Sequence, residues 1–319
     1  MAKRKRTSRP PRRQHWVPCF YLRYFATPES RDTENPLVWA FSKDAGEPLL
    51  TSVRQIAARS FIYSPKDRSG NRQWDMEAKL ADLEGVMDSV WPILANDFID
   101  LHADKAIRKA LALFVSILHL RHPKRLSEVE KIHAQIVAAC EACPKDGAGR
   151  PLIETVEHKG IVQPFDNSDW HDYVVAGRNE KRRMFVDAIR QNATHFAEIL
   201  MKKRWYVVFS RQPVFITTDN PVTLVNPNHR VFGLATPGTE VFFPLSPTRI
   251  LIMDDRHDQP KGLYYPLLDD ARGSGLFNFA AWHHSERFMI SPRHTDAVCA
   301  ELMAWSEGYA PDTNSRSIM

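Results

Sequence analysis

The sequence predicts an α+β fold, in which a helical first half packs on a mainly antiparallel sheet from the second half. Three observations predict it. Apolar residues recur every three to four positions across residues 75–204, which is the period of amphipathic helices. After residue 204 the pattern changes to short runs of β-branched and aromatic residues, separated by proline, asparagine and glycine. Residues 14–65 hold two further strand-like runs and predict a small N-terminal β element.

We expect a single domain over residues 14–307, between a disordered basic tail (1–13) and a polar tail (308–319). Its parts in chain order are a helical part over about 75–204, a sheet part over about 205–292 and a closing helix over 295–307. The other predicted helices span residues 75–97, 103–121, 125–143, 179–204 and 275–286. The predicted strands span residues 35–43, 60–65, 205–210, 214–218, 222–225, 230–235, 240–246, 249–254 and 287–291.

The composition excludes several classes of protein. Of the 319 residues, 43% are hydrophobic and 25% are charged, which is ordinary for a globular protein. The longest mostly apolar run, residues 110–120, is too short to span a bilayer. No apolar signal segment follows the basic N-terminus, and four cysteines fit a reducing cytosol better than a disulfide framework. We therefore expect a cytoplasmic protein with no membrane partner.

The positive charge is concentrated at the N-terminus. Residues 1–13 contain seven of the 43 lysines and arginines and no acidic residue, so the rest of the chain carries 36 cations against 38 acids. Such a block is typically a solvated, disordered leader. It also attracts phosphate groups without sequence preference, so residues 1–13 predict nucleic acid as a partner. The near-neutral remainder argues against a basic nucleic-acid platform on the folded part.

The sharpest local motif is Thr-Thr-Asp-Asn-Pro at residues 217–221. Asp219 and Asn220 stand at the end of a predicted strand. Asp-Asn-Pro is strong turn chemistry, because short polar side chains bond the neighbouring backbone. The same position also suits a metal ligand or a general base. Both interpretations stay open.

Three further charged residues are candidates for a site. Glu77 and Glu84 lie two helical turns apart on one face, about 10 Å along the axis, which is too far for a dyad with parallel side chains. Each either faces solvent or serves a site shared with other elements. Arg121 ends the most apolar predicted helix. It either stabilises the helix C-terminus, or binds a phosphate or Asp219.

His15 lies in a segment crowded with aromatic residues, RRQHWVPCFYLRYFA (12–26). The aromatic residues after it predict core packing. Pro18 holds Val17 extended, which would fix His15 beside the strand that carries Asp219.

Other sequence features argue against known site types. Cys140 and Cys143 lie on one predicted helix without a second pair, which favours structural thiols over zinc. His283 and His284 are adjacent and point about 100° apart on a helix, so they cannot easily share a metal. The sequence contains no Walker loop, dinucleotide fingerprint, Gly-x-Ser-x-Gly elbow or His-Glu-x-x-His motif.

Seven motifs follow one another along the chain: HWVPCFYLRYF (15–25), LVWAFSK (37–43), RSFIYSP (59–65), MEAKLADLEG (76–85), LRHP (120–123), TTDNPV (217–222) and FPLSP (243–247). Together they resemble the uncharacterised domain-of-unknown-function family 4238 over about residues 14–292. Members often carry His-His where this chain has Gln14-His15, so only the second histidine is matched. An asparagine in a late helix of the family corresponds to Asn278. The resemblance implies motif positions and no mechanism.

The motif residues come from distant segments, and one polar pocket where the helices meet the sheet explains them together. Its predicted catalytic residues are His15, Glu84, Arg121, Asp219 and Asn220, and its predicted ligands for Mg²⁺ or Mn²⁺ are His15 and Asp219. The most economical chemistry is phosphodiester hydrolysis by a metal-dependent phosphodiesterase or nuclease, with the basic tail concentrating the substrate.

The competing hypothesis is a non-catalytic binding or structural module, such as a defence or toxin protein whose partner is another protein. In that case His15 donates to a backbone carbonyl, Arg121 pairs with Asp219 inside the fold, and Asp-Asn-Pro closes a turn. Burial and full hydrogen bonding of Arg121 and Asp219 would favour this hypothesis. An open cleft with perturbed pKa values would favour the enzyme.

Overall fold

The computed structural model describes residues 12–158, 161–268 and 273–308. Its helices are α1 (Cys19–Arg23), α2 (Asp75–Asn96), α3 (Lys105–Leu120), α4 (Pro123–Glu141), α5 (Trp170–Val174), α6 (Arg178–Lys202), α7 (Ser274–His284) and α8 (Thr295–Gly308). Its strands are β1 (Arg13–His15), β2 (Leu37–Ser42), β3 (Pro48–Ser52), β4 (Ala58–Ser60), β5 (Thr155–His158), β6 (Ile161–Pro164), β7 (Arg204–Phe209), β8 (Thr217–Thr218), β9 (Thr223–Val225), β10 (Glu240–Ser246), β11 (Arg249–Asp254) and β12 (Phe288–Ser291).

The predicted α+β class is confirmed, with the long helices first and most of the antiparallel pairing later. The long helices begin and end within a few residues of their predicted bounds, because their apolar period, the cap Asp104 and Pro123 define them. Most of the predicted basic tail and of the polar tail lies outside the described residues.

The predicted meander is divided between two four-stranded antiparallel sheets. One has the order β7-β11-β10-β9, and the other has the order β3-β2-β12-β8. The second sheet mixes both ends of the chain, because β12 pairs with β2 on one side and with β8 on the other. Of the N-terminal strands, β1 and β4 form a separate small sheet, whereas β2 and β3 belong to the second large sheet. Sequence periodicity identifies strands but does not identify their partners.

Three local predictions are corrected. The strand expected at 60–65 ends at Ser60, where Phe61 adopts a positive φ of 55° that breaks the extended run. The segment 230–235 is irregular, and Val231 is 82% exposed, so no buried face supports a strand there. The β5–β6 hairpin and α5 lie in a stretch for which the sequence predicted no element.

The aromatic residues that follow His15 pack into the main core, as predicted. Tyr21 and Phe25 are fully buried. The Tyr21 ring stacks on Phe243 of β10 at 5.5 Å, and its hydroxyl oxygen lies 2.7 Å from that of Thr217 on β8. The short helix α1 thereby contacts both large sheets, which fixes the N-terminal segment against α2.

None of the helices within the described residues combines the length and the apolar character needed to cross a membrane.

Trp91 provides a test of this core. It is fully buried on α2, its ring lies 5.4–6.1 Å from the rings of Phe20, Tyr21, Phe114 and Phe243, and its Nε1 donates to the carbonyl of Leu245 at 3.0 Å. We expect Trp91→Ala to lower the free energy of unfolding by about 3–5 kcal/mol, because it leaves a cavity and an unpaired carbonyl. Urea denaturation measures this. The control is Ile93→Ala on the exposed side of α2, and an equal loss in both variants would contradict the packing.

Candidate functional site

The side chain of Arg121 joins three segments that are distant in sequence. It is 1% exposed and lies at the C-terminal end of α3. Its Nε donates to the carbonyl of Trp16 at 2.8 Å, and its Nη1 donates to Oε1 of Glu84 at 2.7 Å. Its own carbonyl accepts a hydrogen bond from the hydroxyl of Tyr63 at 2.7 Å. Arg121 therefore holds the N-terminal segment, α2 and the residues after β4 in one arrangement.

A cleft of about 370 Å³ opens beside the Arg121–Glu84 pair, and we call it the acidic cleft. One wall is a face of α2, on which residues recur at helical spacing: Glu77, Ala81, Glu84, Gly85 and Asp88. The other wall comes from β1 and α1: Arg13, His15, Cys19 and Phe20. Three carboxylates thus line a space that a histidine and an arginine face from the opposite side.

Gly85 keeps the floor of the acidic cleft open. It lies in the middle of α2, where glycine is about 1 kcal/mol less favourable than alanine. A Cβ built at Gly85 meets no atom within 4 Å, so packing does not require glycine here. Together with Ala81, it leaves the space between the carboxylates free of side-chain atoms.

The environment of Glu77 is unusual for a carboxylate. Burial, and then the neighbouring charge of Glu84, raise its pKa from 4.5 to about 7, and the more distant Arg121 only partly opposes them. The folded state therefore holds this proton more tightly than the unfolded chain does. Stability falls on this account as the pH rises from about 4.5 to about 7. The sequence excluded a parallel dyad of Glu77 and Glu84 and left open that each serves a site shared with other elements, but only Glu84 was placed in the predicted pocket. Their i, i+7 spacing was the available signal for Glu77.

His15 is held neutral at the rim of the acidic cleft. Burial lowers its pKa most, and the charges of Arg13 and Arg121 lower it further, although Glu84 and the hydrogen bond to Arg54 raise it. Its Nε2 lies 3.2 Å from the carbonyl of Arg54. Since a carbonyl only accepts, Nε2 carries the hydrogen in this contact, and Nδ1 keeps its lone pair for a proton or a metal.

Cys19 is not an activated nucleophile. Burial and the charge of Glu84 raise the pKa of its thiol to about 11, so the thiol stays protonated at neutral pH.

Asp219 lies apart from the acidic cleft. It is 1% exposed, and its two carboxylate oxygens accept hydrogen bonds from the amides of Glu286 and Arg287, at 3.0 and 2.9 Å. Its carbonyl accepts from Nε1 of Trp16 at 2.8 Å, so the indole bridges Asp219 to the segment that Arg121 holds. Asp219 thus joins the loop between α7 and β12 to β8.

The predicted five-residue pocket is therefore divided. The structure brings together His15, Glu84 and Arg121, whereas Asp219 lines a second cleft of about 320 Å³ with Trp16 and His122. Asn220 also bonds away from the acidic cleft, because its Nδ2 donates to the carbonyl of His284 at 3.0 Å.

The predicted metal pair is not assembled. Of the described residues, no three His, Cys, Asp or Glu side chains form a group that could hold a metal ion. His15 and Asp219 line different clefts, and both carboxylate oxygens of Asp219 already accept backbone amides. Burial raises the pKa of Asp219 to about 6, while these backbone hydrogen bonds restrain the rise.

A family model described as "Protein of unknown function (DUF4238)" matches residues 13–303. The chain belongs to this family. The matched region includes both clefts and every predicted site residue, and it extends beyond the motifs that carried the resemblance. No significant match was found among curated proteins or among solved structures. Because the family's description assigns no activity, the function has to be argued from the site.

The coupling of the two glutamates is open to direct measurement. We expect Glu84→Gln to lower the pKa of Glu77 from about 7, because it removes the negative charge that opposes ionisation and leaves Arg121 unopposed. Carbon-13 NMR titration of the glutamate carboxyls measures this. Asp82→Asn, on the exposed side of α2, is the control and should leave Glu77 unchanged. An equal shift in both variants would contradict a specific coupling.

Asp219 should prove structural. We expect Asp219→Asn to lower the free energy of unfolding by about 1–3 kcal/mol, because an amide places an N–H donor against one of two backbone amides that need an acceptor. Thermal and urea denaturation measure it, with Asp44→Asn as an exposed control. Unchanged stability would contradict the assignment.

Proposed function

We propose that the protein is a hydrolase of phosphodiesters and that Glu77 acts as its general base in the acidic cleft. The observation that carries the proposal is a cleft in which two glutamates on the same wall differ in environment. Glu84 has a cationic partner in Arg121, whereas Glu77 forms no ion pair among the described residues and has a pKa raised to about 7. Pairs of titratable groups separated in this way are typical of acid–base sites.

A base with a pKa near 7 is suited to removing a proton from water at neutral pH. About half of the Glu77 carboxylates are ionised there, and the conjugate acid is strong enough to return the proton to a leaving oxygen. His15, with Nε2 fixed on the carbonyl of Arg54, supplies a second neutral group that can accept or relay a proton through Nδ1. Arg121 acts as a positioning residue, since it fixes the Glu84 carboxylate.

A divalent cation fits the charge of the cleft. Glu77, Glu84 and Asp88 would repel a free phosphate, so an anionic substrate needs a counter-charge there. Mg²⁺ commonly keeps several waters and binds one or two carboxylates together with a substrate phosphate, so it does not need three preassembled protein ligands. We therefore propose Mg²⁺ or Mn²⁺ as the cofactor, held by Glu84 and Asp88, which lie one helical turn apart, so that the Glu77 carboxylate stays free to accept a proton. Neutral His15 lies on the opposite wall of the cleft.

Nucleic acid is the proposed substrate. Arg13 lines the acidic cleft, and the other cations of the basic tail precede it in the sequence. A polyanion attracted to the tail is thereby concentrated next to the cleft.

A second candidate function is a non-catalytic binding module. The burial of Arg121 and Asp219, and the backbone partners of both, favour it, because each side chain has a structural task. Arg121 keeps one buried terminal nitrogen, Nη2, without a hydrogen-bond partner within the described residues. The structural contacts therefore do not use all of its hydrogen-bond donors. The two functions differ in what they require of Glu77, whose side chain forms no hydrogen bond or ion pair with the residues that the structure describes.

A cleavage assay tests the proposal. Single- and double-stranded DNA and RNA are incubated with Mg²⁺, Mn²⁺ or EDTA. We expect metal-dependent cleavage whose kcat/KM falls about tenfold per pH unit below about pH 7, because Glu77 must be ionised to act as a base. We expect Glu77→Gln to lower kcat by about 10²-fold or more, and His15→Ala to lower it as well.

The control variant is Asp82→Asn, which changes a charge on the exposed side of the same helix. It should cleave as fast as the wild type. Folded wild-type protein that cleaves none of these substrates with either metal, or a Glu77→Gln variant that retains full activity, would contradict the hydrolase and favour the binding module.

A further inference from the structure

One face of the small sheet of β1 and β4 lines the acidic cleft, and the opposite face is basic. Arg13 and His15 of β1 line the acidic cleft. Alternate side chains of a strand point to opposite faces, so Arg12 lies on the other face, and Arg59 pairs with Gln14 across the sheet. The sequence placed the positive charge in the tail alone, but the fold gathers arginines here from three separate segments.

Five residues form what we call the arginine cluster: Arg12, Arg59, Arg72, Arg178 and Arg182. Arg178 and Arg182 lie one turn apart in the first part of α6, on the same face. Arg59, Arg72 and Arg178 are close enough to Arg182 to lower its pKa together with burial, and Glu130 of α4 is the acid that opposes them. The folded part of the protein therefore carries a local positive field despite its near-neutral total charge.

Two of these guanidinium groups are held in place by an aromatic ring. The Cζ atom of Arg72 lies 3.5 Å from the centre of the Phe61 ring, and that of Arg12 lies 5.6 Å from it. Nη1 of Arg72 donates to the carbonyl of Ser64 at 2.8 Å, which fixes the guanidinium plane. Phe61 has a positive φ of 55°, a conformation that is rare for a bulky residue, so the fold tolerates local strain to place this ring.

The cluster lacks counter-charges of its own. Across the part of the chain that the structure describes, none of the five arginines lies within ion-pair distance of a carboxylate. The Nε of Arg182 is buried without a hydrogen-bond partner. Like charges brought together in this way repel one another, and a buried unpaired donor costs about 1–3 kcal/mol. An anionic ligand would relieve both penalties.

We propose that the arginine cluster binds the phosphate backbone of single-stranded nucleic acid. Several arginines are spread over one face of the protein. A ligand with several phosphates in a row can contact more of them than a single anion can. Arginine guanidinium planes also stack on unpaired bases, and Arg72 lies flat on Phe61 with its plane already fixed. The surface deepens the proposed function, on which it rests for its substrate class, by adding a phosphate-binding region on the face of the small sheet opposite to the acidic cleft.

An anionic membrane is the less favoured occupant. Peripheral membrane binding combines basic residues with exposed apolar side chains that enter the headgroup region. The exposed large apolar side chains of the described residues lie on other segments of the chain, and none lies in residues 58–72 or 178–182.

Fluorescence anisotropy with a labelled single-stranded RNA of about 15 nucleotides tests the proposal on the full chain. EDTA is present throughout, so that binding is measured without metal-dependent cleavage. The test variant is Arg59→Glu with Arg178→Glu, and the control is Arg211→Glu with Arg230→Glu, which changes the net charge equally. All four side chains are exposed, and no contact holds any of them within the described residues.

We expect the test variant to bind about tenfold or more weakly than the control, and its salt slope, d log K/d log[salt], to be smaller in magnitude by about 1.4, for two lost phosphate contacts. The single variant Arg178→Glu should lose part of this affinity while keeping its fold, because an acid is favourable at the start of a helix. Because EDTA prevents metal-dependent cleavage, this binding is measured whether or not the protein cleaves RNA.

Three results would overturn the proposal. Equal weakening in the test and control variants would mean that only net charge matters. Failure of the wild-type protein to bind the RNA at roughly 50 mM salt would show that the arginine cluster is not a binding surface for single-stranded nucleic acid. Displacement of the RNA by phosphatidylserine vesicles, with vesicle binding that depends on Arg59 and Arg178, would assign the cluster to a lipid surface instead.

Discussion

The buried guanidinium of Arg121 is the interaction on which the rest of the site depends. Its contacts reach the carbonyl of Trp16, the carboxylate of Glu84 and, through its own carbonyl, the hydroxyl of Tyr63. These partners lie on the N-terminal segment, on α2 and just after β4. A cation that is 1% exposed is unfavourable unless it is paired and hydrogen-bonded, so removing any partner is penalised. The walls of the acidic cleft are therefore fixed relative to each other by a single side chain.

The acidic residues of the motifs differ in their electrostatic surroundings, and this difference separates a structural carboxylate from a candidate catalytic one. The carboxylate of Asp219 is used within the fold, since both of its oxygens accept backbone amides. Within the described residues no backbone amide donates to Glu77, and burial, followed by the charge of Glu84, raises its pKa. An ionised carboxylate that accepts no hydrogen bond from the fold destabilises the folded state more than one that does. Glu77 is therefore a stronger candidate than Asp219 for a catalytic role. The small sheet separates opposite charges, since one face lines the acidic cleft and the other carries Arg59 of β4.

Sequence reasoning predicted what depends on local periodicity and end signals. It found the long helices, most of the later strands and the packing of the aromatic residues after His15, because these follow from apolar spacing and from Pro123. It did not find that β2 pairs with β12, or that His15 and Asp219 line different clefts, because strand partners and side-chain direction depend on tertiary contacts. It also did not place Glu77 in the candidate pocket. An axial rise of about 10 Å excludes a parallel dyad, but it does not exclude electrostatic coupling across a partly buried cleft.

A double-mutant cycle between Arg121 and Glu84 tests the central claim most directly. The free energy of unfolding is measured by urea denaturation for the wild type, Arg121→Met, Glu84→Gln and the double variant. The account predicts a coupling energy of about 1–3 kcal/mol, because Arg121→Met alone leaves Glu84 without its cation and Glu84→Gln alone leaves a buried guanidinium without its counter-charge. Additive effects, within about 0.5 kcal/mol, would show that the pair does not hold the cleft together and would contradict the account.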